Sequence, residues 1–223
     1  MEIPLFPLPN IVLFPHVLVP LHIFEERYKQ MINTCIEHDE VFGVVLLRGG
    51  AETESEDTIH RVGVTVRIVQ VERLENGRMN ILTEGEDRFR IRRFTREEPY
   101  WKGLVDVLED NESHHPAIES MQEEVSQLYR NVAELGAKID SSEKPETVLP
   151  DSPTDLSYMI SYILNIDSEE KQKLLEMTSA AERLRSLIPH LNDSVAELQQ
   201  QLAIKEVMHK VRGNGDLGKP KDL

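Results

Sequence analysis

The sequence predicts an α+β fold: a closed or strongly curled antiparallel sheet with one packed helix, followed by a helical bundle. Three observations predict it. Apolar and polar residues alternate with a period of two through much of residues 62–107. Apolar residues recur at steps of three and four over residues 22–37, and again from residue 118 to residue 207. Between the sheet-like and helical stretches lies a short polar join, NESHHP, at residues 111–116. The chain is therefore divided into a β domain at 1–112, a helical domain at 116–208 and a flexible tail at 209–223.

The opening, MEIPLFPLPNIVLFPHVLVPLHIFEERYKQM, carries Pro4, Pro7, Pro9, Pro15 and Pro20. A secretory signal begins with positive charge, but here the first basic residue is Arg27. The prolines would interrupt a signal helix, and nowhere do about 18 apolar residues run together, so no membrane span is expected. The protein itself must bury this segment. Phe6, Val12, Phe14, Val17 and Val19 supply short strands between the prolines.

Residues 22–37 place Ile23, Phe24, Tyr28, Met31, Ile32, Cys35 and Ile36 on one helical stripe. VFGVVLL at 41–47 reads as a buried strand, and the acidic GGAETESEDT after it as an exposed loop. Val62, Val64, Val66 and Ile68 face one way. Val69 and Val71 break that phase, which predicts a bulge or strong twist near Ile68. Asn76-Gly77 is a tight-hairpin dipeptide, Gly85 marks a further turn, and RFRIRRF alternates through Phe89 and Ile91. Trp101, Val105 and Val107 suggest the last strand.

In the second half, Ile118, Met121, Val125, Leu128, Val132, Leu135 and Ile139 form a seam three heptads long. A loop containing Pro145 and Pro150 follows. Ser152, Pro153 and Asp155 then predict a capped helix start, and Asp167 with Glu170 predicts another. The second of these helices is expected to run through Leu174, Leu175, Ala181, Leu184 and Leu187 until Pro189 kinks or divides it. Val195–Val207 is amphipathic but more polar.

Chemistry is sparse. Cys35, the only cysteine, reads as buried filler, and it excludes an internal disulfide or a multi-cysteine metal site. It points weakly to a reducing, cytoplasmic compartment. His114 and His115 are adjacent, His16 and His22 lack a third ligand, and no metal or cofactor is expected. Gly213, Gly218 and Lys219 have phosphate-loop spacing, but Pro220 stands where Ser or Thr should bind magnesium. No G-x-S-x-G frame exists. With 40 acidic and 25 basic residues the net charge is -15, which repels nucleic acid and anionic lipid. The one basic cluster, Arg88, Arg90, Arg92, Arg93 and Arg96, alternates with Phe89, Ile91 and Phe94. It reads as the outer face of a strand.

The opening resembles the Lon protease amino-terminal domain family, whose run is close to LPLFPLP-x-x-VLFPG-x-x-LPLHIFE-x-RY-x-x-M. The likeness continues through VGVTVRIVQVERLENGRMNILTEGEDRFRI, Pro99-Tyr100 and KQKLLEMTSAAERLRSLIPHL at 171–191, covering about residues 1–205. Two departures are His16, where glycine usually follows FP, and Val64, where threonine is frequent. The resemblance implies a PUA-like β pseudobarrel with a helical bundle, and a part in selecting substrates and organising a hexamer. The ATPase and serine-lysine protease modules have no counterpart here, so a stand-alone, non-catalytic protein is expected.

The leading expectation is a binding module for unfolded or exposed polypeptide segments, with an apolar groove where sheet and bundle meet. Phe14, Val17, Leu18 and Phe24 near the opening, with Tyr100 and Trp101, are its candidate lining. Self-association through the 118–139 seam, or docking on a protease or chaperone partner, is a second class. Binding of RNA or of a small ligand at Arg88 or Arg90 is a third. These classes differ in which apolar and basic surfaces remain uncovered.

Overall fold

The structure, a computed structural model, describes residues 1–214 except 52–53, 97, 112–115, 141 and 143–147. His114, His115, Pro145, Lys219 and most of the tail expected at 209–223 lie outside the described residues. The fold is mixed α+β. Six strands are described: β1 (Glu2–Leu8), β2 (Leu18–Ile23), β3 (Phe42–Leu47), β4 (Ile59–Arg73), β5 (Met79–Arg96) and β6 (Lys102–Val107). Five helices accompany them: α1 (Glu26–His38), α2 (Ile118–Asp140), α3 (Pro153–Ile163), α4 (Ser168–Glu176) and α5 (Ala180–Asn214).

The strands lie in the order β2-β5-β4-β3-β1-β6, and β6 also pairs with β5. Five strands therefore close a ring of pairings, and β2 is an appendage on β5. The long β5 makes this possible: residues 79–84 pair with β2, while 89–96 pair with β6. One pairing departs from the all-antiparallel expectation. β1 runs parallel to β3, Leu5 opposite Gly43, because β2 and α1 carry the chain across before β3 begins.

The prolines fit where the ladder asks for no donor. The Leu5 N–H reaches the Trp101 carbonyl at 2.8 Å, on the β6 side. Main-chain groups alternate, so Pro7 is directed to that same side, beyond the last β1–β6 pair at Pro4. Pro4 is directed the other way, ahead of the first β1–β3 pair at Leu5. Pro20 lies on β2, paired on one side only.

Asn76 (φ 59°) and Gly77 (φ 69°) both adopt the left-handed region and join β4 to β5, as their dipeptide predicts. The β4–β5 register shifts between Ile68 and Gln70, at the break in alternation. Gly85, expected at a turn, instead lies inside continuous β5. A Cβ there would stand 2.3 Å from the Phe14 carbonyl oxygen, so the glycine admits the opening loop rather than reversing the chain. The acidic loop after β3 is tied back as well. Glu54 accepts from the Tyr28 hydroxyl at 2.7 Å and from both terminal nitrogens of Arg27.

In the helical half the caps form as expected. The Ser152 hydroxyl accepts from the Asp155 N–H at 3.3 Å, and the Asp167 carboxylate accepts from the Glu170 N–H at 2.8 Å. The second predicted helix is really two, because the chain leaves helical geometry at Met177. Pro189 does not divide α5. Leu184, Leu187 and Leu191, on both sides of it, are fully buried. At roughly 1.5–3 kcal/mol each they outweigh the ~3 kcal/mol cost of an internal proline. The α2 seam packs along α5, with Val125 wholly enclosed. One hydrophobic cluster runs from Phe6, Leu21 and Met31 through Phe14 and Tyr158 to Leu175 and Leu187. It continues from sheet to helices without a break. A smaller one inside the ring contains Leu5, Phe89, Ile91 and Trp101.

Candidate functional site

The segment KQKLLE at 171–176 fastens helices to sheet. Gln172 donates to the Val62 carbonyl at 3.0 Å, and Leu174 and Leu175 are buried. On the same helix, Glu169 accepts from the Gly49 N–H at 2.8 Å and lies 3.1 Å from His60 Nε2. Glu176 lies 3.5 Å from His60 Nδ1. The Gly49 N–H, chiefly, and His60 hold the Glu169 carboxyl below the usual carboxylate range.

Behind this helix lies a feature that strand alternation did not reveal. Arg88 shares the outward phase of Arg90 and Arg92, but the outer face there is covered by the α4–α5 link. Its guanidinium is buried and donates to the carbonyls of Leu175 (2.7 Å) and Met177 (2.5 Å) and to Asp110. Arg183, equally buried, donates to Asp110, to the Met177 carbonyl (2.7 Å) and to the Ser157 hydroxyl (2.8 Å). The Tyr158 ring lies 4.3 Å from the Arg183 guanidinium carbon. Burial pulls the Arg88 guanidinium below its usual range. Two cations thus share one carboxylate, with main-chain carbonyls and the Ser157 hydroxyl as further acceptors. Arg88 is a clasp and not an exposed contact, which corrects the outer-face reading at that one position, while Arg90, Arg92 and Arg93 are exposed as it expects. Arg92 is exposed and paired with Asp106.

Two recesses open on the junction and a third lies among the helices. One of about 450 Å³, beside Arg88, is walled by Glu86, Asp87, Glu109 and Asp155, and so disfavours anions. A second, about 470 Å³, lies between the opening loop with β2 and the α3–α4 link, lined by Ile11, Val12, Val19, Tyr162, Ile163 and Ile166. A third, about 460 Å³, runs between α2 and α5 past Val132, Leu164, Leu191 and Leu198. Ile163, 42 % exposed, lines both of the last two, so the recesses adjoin at that side chain and together make a largely apolar trough. The trough reaches β2 at Val19. Val17 and Val19 direct their carbonyls to β5, accepting from the Gly85 N–H and the Thr83 hydroxyl. By alternation Leu18, Pro20 and His22 direct theirs outward, where no described strand pairs with them.

The candidate lining residues divide accordingly. Leu18 (54 % exposed) stands on the outer face of β2, Phe24 (60 %) is exposed just past its end, and Val17 is half-buried. Phe14, Tyr100 and Trp101 are core: Phe14 packs against Tyr158, and Trp101 against Phe94. Their rings are closed to a ligand, because each side chain does more when withdrawn from water than on the rim. Ile11 and Ile163, which line the trough, are not among these candidates, and only the arrangement of helix ends leaves them uncovered.

The family model for the ATP-dependent protease La (LON) substrate-binding domain matches residues 2–193. Lon protease of Dictyoglomus thermophilum is 25 % identical over 210 residues, spanning 94 % of this chain and 26 % of that protein. Lon protease 2 of Herpetosiphon aurantiacus is 29 % identical over 212 residues, with the same shares. The chain spans about a quarter of the length of these curated relatives. Among solved structures, the Lon N-terminal domain protein from Xanthomonas campestris superposes with a TM-score of 0.63 at 22 % identity. The match covers 85 % of this chain and 98 % of that one. The N-terminal domain of the Mycobacterium avium complex Lon protease gives 0.66 at 20 %, covering 86 % and 99 %. The match takes in the ring, the clasp and most of the trough, and the chain belongs to the LON substrate-binding domain family, a binding module rather than a catalytic one.

Proposed function

We propose that this chain holds exposed polypeptide segments without altering them covalently, and that the trough along Ile163 is where it does so. The carrying observation is that the trough reaches β2 at Val19, next to residues of that strand whose outward edge no described strand pairs with. Unfolded segments bring apolar side chains and unsatisfied main-chain groups together, and the surface answers both. In this reading the closed ring is the family's PUA-like pseudobarrel, and the protein works in the cytoplasm, passing what it holds to a protease or chaperone partner. The burial of Arg88, the pairing of Arg92 and the acidic recess weigh against RNA.

Ile163→Glu tests the reading by setting a carboxylate in the middle of the trough at a partly exposed position. Affinity for fluorescein-labelled casein, followed by anisotropy, should fall at least ~10-fold, with Tm moving by less than about 3 °C. Unchanged affinity in a folded variant would place any binding elsewhere.

A further inference from the structure

The trough holds one charge at its β2 end. Ile11, Val19, Tyr162, Ile163 and Ile166 surround that end, and Lys171 is its only ionisable side chain other than the Tyr162 phenol. Lys171 is half-buried. Its Nζ donates one N–H to the Tyr162 carbonyl and lies 5.5 Å from that residue's ring centre. The other two N–H groups find no acceptor among the described residues, and no described carboxylate pairs with them, although the chain has 40 acidic residues. Burial alone lowers its ammonium below the usual lysine range. Lys173, two residues on and exposed, does have a partner in Glu170. Ser168, three residues before Lys171 on the same face of α4, also lines this end.

A cation drawn partly out of water beside an apolar wall is stabilised by an incoming anion that brings its own apolar group. A free phosphate brings none. The C-terminal end of a polypeptide brings one carboxylate, contiguous apolar side chains and a single main-chain exit. That pattern matches one polar end on an otherwise apolar recess. We propose that this end of the trough takes the C-terminus of a bound polypeptide, its α-carboxylate on Lys171 with Ser168 beside it. Its last side chains would lie against Val19, Ile163 and Ile166. The inference rests on the polypeptide-binding reading and deepens it.

The test compares two fluorescein-labelled octapeptides of sequence GSGSAVLV, one ending in a free carboxylate and one in an amide, binding to the unmodified chain. The acid should bind at least ~10-fold more tightly. Lys171→Met should erase the difference, Lys171→Arg should keep most of it, and Ile163→Glu should weaken both peptides. Equal binding of acid and amide would overturn the proposal. So would an amidated peptide with an internal glutamate that binds as well as the acid, because side-chain carboxylates would then be what is read. If casein binds but neither octapeptide does, the proposal fails and the broader reading stands. If casein does not bind either, both fail. The acid–amide comparison needs no substitution, so it stands even where Lys171→Met fails to fold.

Discussion

His16 has φ 63°, a left-handed conformation that costs an L-residue about 1–2 kcal/mol. The turn needs it. The His16 N–H reaches the Gly85 carbonyl at 2.8 Å, and the Gly85 N–H returns to the Val17 carbonyl at 3.0 Å. This explains why a glycine suits the position in the family's pattern. His16→Gly should raise stability by about 0.5–1 kcal/mol, measured by urea unfolding. The strain relieved exceeds the added freedom of the unfolded chain and the loss of an exposed contact to Asp155 at 3.6 Å. A destabilised variant would show that the contact outweighs the strain. The same scale shows where sequence reading reaches its limit. The phase of Arg88 was legible from Phe89 and Ile91, but the helix link covering it comes from 87 residues away. Likewise, Phe14 and Leu18 look alike in an apolar run, yet one is core and the other half in water.

Elements with local causes were readable: the Asn76-Gly77 turn, the Ser152 and Asp167 caps, the bulge after Ile68, the α1 stripe. Those with distant causes were not. β5 runs straight through Gly85 because the opening loop lies against it, and α4 stops where the buried arginines take the Met177 carbonyl. Helix α4 also carries a pH dependence. The Glu169 carboxyl has a lower pKa folded than unfolded, so its contribution is complete above the unfolded value, near 4.5. The contribution is lost as pH falls through the folded value. Glu169 is 43 % exposed, so the effect is modest, under about 1 kcal/mol. Urea midpoints of Glu169→Gln and the unmodified chain should differ at about pH 6 and converge toward pH 3. A constant gap would assign the loss to other carboxylates.

Across the whole molecule, one hydrophobic cluster links α1 under the sheet to α5 in the bundle, so the two halves share their core. Cys35 reports on it. Burial pushes its thiol up to about 11, and the reactive species is the thiolate. At neutral pH its modification by Ellman's reagent should therefore track global unfolding, rising over the same urea range as the loss of far-UV circular dichroism. Fast labelling without urea would instead reveal independent opening of α1.

The clasp around Arg88 also sets an order of assembly during synthesis. All six strands have been made once the ribosome passes Val107, but the carbonyls that receive Arg88 belong to Leu175 and Met177. At a synthesis rate of about 5–20 residues per second the strands wait several seconds for them. Until then this end of β5 must stay wet, because a guanidinium cannot be sealed in with Asp110 alone. The nascent sheet is completed only when the helices arrive, so the timing of translation is written into a single buried side chain.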